Sequence, residues 1–267
     1  MIMNSWSTAI TEVKPNRVKL RGYHLEELIG QVSFTDAIHL TLIGELPSLE
    51  VGKVLDAILV ASLDHGVTPP STLAARTAVS TGAPLNGAVS AGILSINQHH
   101  GGAIEGCMEL LTEALRDYSE LPEGLDRVAC RIIDRWQHAR RRLPGLGHRI
   151  HTADPRVRQL FNLAQDLGVS GNGVIMLQAV ESNLAERFGR DIPINVDGAI
   201  AALLIDMGLP SDLANGLFII ARVGGLVAHV SEESRRNKPV RKIDPDDHLY
   251  DGPESRSISS EHTKLPR

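Results

Sequence analysis

Apolar residues recur along this chain mostly at helical spacing. In HGGAIEGCMELLTEALRDY, the residues Ile104, Met108, Leu111 and Leu115 follow one another at intervals of three and four, which places them on one face of an α-helix. Segments in which apolar and polar residues alternate, as in a half-buried strand, are hard to find. The pattern predicts an all-α (mainly α) fold without internal repeats.

Start and stop signals delimit further helices. SFTDAIHLTLIG opens on a capping-box pair, Ser33 and Asp36, and ends at a glycine. DPRVRQLFNLAQDLG offers Asp154 as N-cap, Pro155 as the first helical residue and Gly168 as the stop. SGNGVIMLQAVESNLAERFG and GLPSDLANGLFIIARVGGLVAHVSEES are also predicted to be helices. The second is apolar nearly all round and is therefore expected to be buried.

Composition narrows the function classes. The 267 residues suffice for one large or two small domains, and the net charge of -5 argues against nucleic acid or an anionic membrane as partner. No uninterrupted apolar run reaches the length of a membrane span, and no secretory signal is visible. Two cysteines outside any CxxC motif favour a reduced, cytoplasmic protein. The polar tail from about Asp244 is expected to be poorly ordered at its end.

Four short segments each place a titratable residue at a turn or a helix end: DHG with His65, HHGGAIEG with His100, GLGHR with His148, and NVDGAI with Asp197. They are separated by 35, 48 and 49 residues, so none forms a local metal-binding motif, and no metal site is predicted. Taken singly, each has an ordinary structural alternative, namely a histidine satisfied in the core or an aspartate that caps a turn.

In combination the four residues suggest a reaction. A helix that starts after His100 favours a neutral imidazole that donates a hydrogen bond. The apolar runs on both sides of Asp197 would desolvate its carboxylate and make it a better base. This set fits the removal of a proton next to a carbonyl group. Candidates to hold substrate carboxylates in two-pronged contacts are Arg156, Arg222 and Arg241.

Six ordered motifs carry a resemblance. LRGYHLEELIG, DHG with STLAARTAVSTGA, HHGGAIEG, PGLGHRIHTADPR, NVDGA and ARVGGLVAHVSEE resemble, in the same order, motifs of the citrate synthase family. The resemblance implies that His100 hydrogen-bonds the thioester enol, that Asp197 takes the proton from the acyl-CoA, and that His148 polarises the ketone of oxaloacetate. It further implies binding residues, with dicarboxylate contacts from His65, Arg156 and Arg222, a contact to the partner subunit's site from Arg241, and coenzyme A contacts from Pro144, Gly145, Leu146, Gly147 and Arg149.

The resemblance also implies an architecture. It predicts a mainly α homodimer, or an oligomer of dimers, with a reduced large domain formed by residues 1–99 and 204–267 and a small coenzyme A-binding domain formed by residues 100–203. An acyl-CoA, by default acetyl-CoA, and a keto-dicarboxylate such as oxaloacetate would be the substrates. No metal or redox cofactor is implied.

Three departures from the family pattern bear on function. The chain is shorter than full-length synthases, and in this respect it resembles citryl-CoA lyases and the C-terminal module of ATP-citrate lyase. That module has phenylalanine at the position of His100, so His100 resembles a synthase-like site. Thr152 stands where a basic residue often meets coenzyme A phosphate; Arg149 or the run 140–142 would compensate, although such a run is equally typical of a solvated helix end.

Several functions therefore stay open on the sequence. The site residues serve condensation and citryl-CoA cleavage alike, because one site catalyses a reaction in both directions. A synthase for another acyl-CoA is a second possibility. A non-catalytic module that binds coenzyme A or a partner subunit is a third, although the presence of His100, His148 and Asp197 together argues against it.

Overall fold

The computed structural model describes residues 6–120, 124–147, 154–255 and 257. Helices make up 62% of it, which confirms the mainly α class. The helices are α1 (Leu25–Leu28), α2 (Phe34–Ile43), α3 (Leu49–Ser62), α4 (Pro70–Ser80), α5 (Leu85–Leu94), α6 (Ala103–Glu120), α7 (Leu125–His138), α8 (Pro155–Asp166), α9 (Asn172–Phe188), α10 (Val196–Asp206) and α11 (Ala214–Arg236). Short 3₁₀ turns occur at Ser211–Leu213 and Pro245–Asp247.

A small antiparallel sheet at the beginning of the chain was not predicted. It has the order β1 (Thr11–Lys14), β2 (Arg17–Leu20), β3 (Tyr23–His24). Every residue of β1 is exposed and none of β2 is fully buried, so no apolar face imposes the alternation by which a strand is recognised in a sequence. The sheet is consequently an addition to the helical body and does not alter the fold class.

The predicted helix signals are confirmed. Ser33 Oγ accepts a hydrogen bond from the Asp36 amide, and the Asp36 side chain accepts one from the Ser33 amide, each at 3.0 Å. Asp154 caps α8, with Pro155 as its first residue. On α6, the expected apolar face is buried, with Ile104 and Met108 each 1% exposed. Local capping and periodicity thus specify these elements before tertiary contacts are considered.

Helix α10 lies at the centre of the molecule. Its residues from Gly198 to Leu204 are all buried, and it packs against α6, α8 and α9. A second group of helices forms around α11, which packs on α3, α4 and α5. The two predicted domains, with boundaries at 99/100 and 203/204, stay a prediction. The first turn of α10 faces the ends of helices from both groups, and this junction positions the site.

Helix α11 is less fully buried than predicted. Its inner face buries Leu217 and Phe218, whereas Val227 on the outer face is 39% exposed. The segment Ser211–Arg236 is long and apolar enough to cross a membrane by length and composition, a test that core helices also pass. Two charged residues of this helix, Arg222 and Glu233, are buried and hydrogen-bonded to other parts of the chain. Packing in the protein core therefore accounts for the apolar character of its inner face.

Candidate active site

A cleft of about 570 Å³ opens where the two groups of helices meet. It brings together residues that the sequence analysis selected from four distant segments. Among the residues that line it are Ser62, His65, Thr68, His99, His100, Gly147, Arg156, Asn195, Asp197, Phe218 and Arg222. Apart from His148, which lies outside the described residues, and Arg241, every predicted catalytic and dicarboxylate-binding residue thus lies on one surface.

His100 is held at the cleft by a tight turn before α6. The backbone of Asn97 and His100 exchanges two hydrogen bonds, of 2.8 and 2.9 Å, and Gly101 follows with φ +93°. A Cβ atom at Gly101 would lie 2.6 Å from the Ile96 side chain, so only glycine fits there. The His100 ring also meets the edge of Phe218, with 5.9 Å between the ring centroids. Its orientation is therefore fixed by backbone and by packing.

Ser71 is a site residue that the sequence analysis missed. Its fully buried hydroxyl lies 2.8 Å from Nε2 of His100. In the sequence it resembles any serine in the first turn of a helix, and the partner histidine is 29 residues away. In the tautomer in which Nε2 accepts a hydrogen bond from the Ser71 hydroxyl, Nδ1 of the neutral ring carries the hydrogen and can donate to a ligand.

The electrostatic surroundings of His100 favour the neutral form of its imidazole. Burial lowers the pKa of His100, and the positive charge of Arg222 and the neighbouring His65 lower it further. Protonation of the imidazole would add a cation to a cleft that already holds one on Arg222. His100 is accordingly suited to donate a hydrogen bond as a neutral group, as the sequence suggested from the helix that follows it.

Asp197 lies in the first turn of α10, two residues after the N-cap Asn195. Burial raises the pKa of Asp197, the charges of Arg156 and Arg222 lower it in part, and the nearby Asp154 carboxylate raises it further. The net increase makes Asp197 a stronger base than an exposed aspartate, which fits the effect expected from its apolar flanks.

Arg222 offers an unused donor to the cleft. Its side chain is buried, its Nε donates to the Ser62 carbonyl oxygen at 3.0 Å, and the guanidinium carbon lies 4.8 Å from the Phe218 ring centroid. Its Nη1 is buried and has no hydrogen-bond partner among the described residues. Because an unpaired buried cationic donor is costly, an anionic ligand group is its expected partner.

Arg156 is already engaged by the protein. Its Nε and Nη2 donate to the two carboxylate oxygens of Asp154, at 3.0 and 2.7 Å, and Nη1 lies 3.4 Å from the carbonyl oxygen of Ala61. The fork therefore holds a protein carboxylate, and the arginine is oriented by its own helix cap. It still borders the cleft and contributes positive charge beside Asp197.

A second groove, of about 680 Å³, adjoins the first. It contains the predicted coenzyme A contacts from Pro144 to Gly147, and both clefts are lined by Gly147 and Asn195. Arg141 and Arg142 also line it, and the Arg141 guanidinium carbon lies 4.0 Å from the ring centroid of Trp136. Part of the basic run thus faces a groove. Arg190, just after α9, is a further lining residue that the sequence analysis missed.

The other candidates fall outside this surface. His148, Arg149 and Thr152 lie outside the described residues, so their roles stay predictions. Arg241 binds both carboxylate oxygens of Glu233, which Arg76 also contacts at 2.7 Å, and it does not line the cleft. Its predicted role in a partner subunit's site is untested. Among the described residues, no cluster of three or more His, Cys, Asp or Glu side chains is arranged to hold a metal ion.

Comparison with known proteins places this site in a family. The family model "Citrate synthase, C-terminal domain" matches residues 47–243, which is most of the chain. The chain belongs to the citrate synthase family. Curated relatives include citrate synthase of Haloferax volcanii, 32% identical over 204 residues, and citrate/2-methylcitrate synthase of Bacillus subtilis strain 168, 31% identical over 203 residues. Each match covers 74% of this chain, which spans about half the length of these relatives, 51% and 52%.

Among solved structures, a citryl-CoA lyase is similar to this chain over its whole length. Citryl-CoA lyase from Hydrogenobacter thermophilus is 36% identical, with a TM-score of 0.89 over 98% of this chain and 100% of that chain. ATP citrate lyase of Methanosaeta concilii shares the fold at 19% identity, with a TM-score of 0.79 over 98% of this chain and 43% of that one. The chain thus spans the full length of the citryl-CoA lyase and less than half of the ATP citrate lyase.

Proposed function

We propose that this protein makes and breaks the carbon–carbon bond of citryl-CoA, with cleavage to acetyl-CoA and oxaloacetate as its principal reaction. The observation that carries the proposal is the cleft that combines Asp197, His100 and Arg222 and opens into the groove of the Pro144–Gly147 loop. The match to citryl-CoA lyase over that protein's full length supports the cleavage direction.

In the direction of bond formation, Asp197 removes a proton from the methyl carbon of acetyl-CoA. The resulting enolate oxygen accepts a hydrogen bond from Nδ1–H of His100, whose orientation Ser71 maintains. The enolate carbon then attacks the ketone carbon of oxaloacetate, whose oxygen takes up a proton. Arg222 is placed to hold a substrate carboxylate through its unpaired Nη1.

Cleavage reverses these steps. As the tertiary hydroxyl of citryl-CoA loses its proton, the carbon–carbon bond breaks, the ketone of oxaloacetate forms, and the electron pair passes to the enolate held by His100. The Asp197 carboxyl group then returns a proton to carbon. By family resemblance His148 would exchange the hydroxyl proton. A raised pKa suits Asp197 to both directions, because the same group accepts a proton from carbon in one direction and returns it in the other.

The two clefts fit the two halves of the substrate. Arg156 and Arg222 line the cleft where the dicarboxylate part would lie. Arg141, Arg142 and Arg190 border the other groove, where they would meet the phosphates of coenzyme A. This arrangement supplies basic groups that compensate for Thr152.

Two alternatives retain specific support. A synthase that hydrolyses the thioester would use the same residues, and the relative named citrate/2-methylcitrate synthase favours acceptance of a longer acyl group.

We also propose a cytoplasmic homodimer. The outer face of α11, with exposed Val227 and its small neighbour Ala228, supports contact between subunits.

Product analysis separates these functions. The purified protein is incubated with citryl-CoA, and separately with oxaloacetate and a panel of acyl-CoAs, and the products are identified by mass. A lyase converts citryl-CoA to acetyl-CoA and oxaloacetate, whereas a synthase releases free coenzyme A and citrate from the second mixture. Asp197→Asn is the control for contaminating activity. Absence of products from both mixtures, with coenzyme A bound, would contradict catalysis and favour a non-catalytic module.

A further inference from the structure

The two clefts meet at Asn195, a residue to which neither the sequence analysis nor the proposed reaction gives a role. Its side-chain Nδ2 donates to the Gly147 carbonyl oxygen at 2.9 Å, and its Oδ1 accepts from the Gly198 amide at 3.1 Å. Its own amide donates to the Gly145 carbonyl oxygen at 3.0 Å. One side chain thus binds the loop of one cleft and caps the helix that carries Asp197 in the other.

The loop also lies directly on the first turn of α10. A Cβ atom built on Gly145 would be 2.7 Å from Cα of Gly198 and 2.5 Å from Sγ of Cys107, so the backbones pack without intervening side chains. The Gly147 amide donates to the Pro193 carbonyl oxygen at 2.7 Å. Because these contacts are short and made by backbone, a displacement of the loop cannot be absorbed by flexible side chains.

The segment before α10 is also held by contacts of Ile194 with α9 and with the loop. Oε1 of Glu181 on α9 accepts a hydrogen bond from the Ile194 amide at 2.6 Å, and Leu146 forms an isolated β-bridge with Ile194. Asn195 therefore sits between an anchored segment and the loop. The carboxamide side chain of Asn195 joins Gly147 to the N-terminal cap of α10. A substitution of Asn195 can therefore remove this connection.

We propose that Asn195 is a positioning residue that couples occupation of the loop groove by coenzyme A to the placement of Asp197. The inference rests on the proposed function in assigning the groove to coenzyme A. Contact of the ligand with the Pro144–Gly147 backbone holds Gly147, Asn195 transfers this constraint to the first turn of α10, and the Asp197 carboxylate is held at the acyl group. Without the Nδ2 bond, the backbone contacts of Gly145 remain, but the occupied end of the loop at Gly147 no longer holds the cap of α10, and the base is fixed less tightly.

Two substitutions at this position separate coupling from helix capping. Asn195→Ser retains a good N-cap for Gly198 but is too short to reach Gly147, whereas Asn195→Ala loses both bonds. Ser48→Ala is the control, since it removes the N-cap of α3, where Ser48 Oγ accepts from the Val51 amide at 3.2 Å, away from both clefts. Melting temperature, coenzyme A affinity, hydrogen exchange of the segment 196–203 and exchange of acyl-CoA methyl protons are measured for each.

With Asn195→Ser we expect a near-normal melting temperature and a rise of roughly 3- to 10-fold in the dissociation constant for coenzyme A, the effect of one lost hydrogen bond. Methyl-proton exchange at saturating acyl-CoA should fall by about 10²-fold, with the keto-acid requirement unchanged. Coenzyme A should protect the amides of 196–203 in the wild type and not in this variant. Ser48→Ala should lower only the melting temperature.

The coupling is overturned if coenzyme A protects 196–203 equally in the wild type and in Asn195→Ser, or in neither. It is also overturned if Asn195→Ser exchanges methyl protons at the wild-type rate. A wild type that binds coenzyme A with Asn195-dependent protection but forms no product from citryl-CoA or oxaloacetate would refute the proposed function and leave the role of Asn195 standing.

Discussion

Replacement of Gly198 by alanine probes the contact on which the geometry of the site depends. Gly198 is the third residue of α10, where alanine would ordinarily be the better helix former. Here a Cβ atom would meet the carbonyl carbon of Gly145 at 2.9 Å and its Cα at 3.0 Å, with the carbonyl oxygen nearer still. These are backbone atoms of the Pro144–Gly147 loop, so relief requires the loop itself to move.

The expected magnitude follows from these opposing effects. Overpacking of this kind costs about 1–3 kcal/mol, and the gain in helix propensity offsets up to about 1 kcal/mol of it. A net loss of roughly 1–2 kcal/mol corresponds to a fall of about 2–8 °C in melting temperature for a domain of this size. If the loop yields by roughly 1 Å, turnover should fall by about 10²-fold through misplacement of the acyl-CoA relative to Asp197.

Gly216→Ala provides a matched control. Gly216 is also the third residue of its helix, α11, and nothing lies within 4 Å of the Cβ position. Alanine there should leave turnover unchanged and leave stability equal or slightly higher. Calorimetry and a steady-state assay on both variants make the comparison. Should Gly198→Ala match Gly216→Ala in melting temperature and turnover, the claim that the loop rests directly on α10 would be refuted.

Three further substitutions test individual groups. Asp197→Asn should reduce methyl-proton exchange by about 10²- to 10⁴-fold. Because the pKa of Asp197 is raised in the folded state, ionisation of its carboxyl group destabilises the fold. The Asn variant should therefore be more stable than wild type at neutral pH, by a margin that shrinks as the pH falls through the folded-state pKa. Equal stability at all pH values would contradict this. Arg222→Lys should raise KM for the keto acid and leave KM for acyl-CoA unchanged, since lysine retains the charge but loses the Nε bond to Ser62. A rise in KM for acyl-CoA alone would show that the assignment of Arg222 to the keto acid is wrong. His100→Phe should lower condensation by roughly 10²- to 10³-fold with little change in dicarboxylate binding, and a much smaller loss in citryl-CoA cleavage would indicate that another group supports the enolate. No change in either reaction would make His100 a structural residue.

Local signals in the sequence were enough to specify most helices and to name the candidate site. Ser33 with Asp36, and Asp154 with Pro155, define helix starts because capping involves only residues a few positions apart. The glycine-flanked His100 and the apolar neighbours of Asp197 indicated chemistry for similar reasons. The ordered motifs placed the chain in its family, which the family match from residue 47 to residue 243 confirms.

Elements without a local signature could not be predicted in this way. The sheet formed by β1, β2 and β3 has no buried face, so its strands lack the alternation that reveals a strand. The outer face of α11 is another example. Its apolar composition predicted burial all round, whereas the helices available to pack on it cover only the face that carries Leu217 and Phe218.

Only the tertiary structure decided how the selected residues cooperate. Ser71 reaches His100 across 29 residues, and the hydroxyl that orients the imidazole is ordinary in its own segment. Asp154 was predicted as a helix cap, but the hydrogen bonds that its carboxylate accepts from the Arg156 guanidinium are visible only in the folded structure. The link from Gly147 through Asn195 to α10 spans 48 residues. Hydrophobic periodicity and capping record the surroundings of a residue along the chain, while these contacts depend on which helix ends converge when the core around α10 is packed.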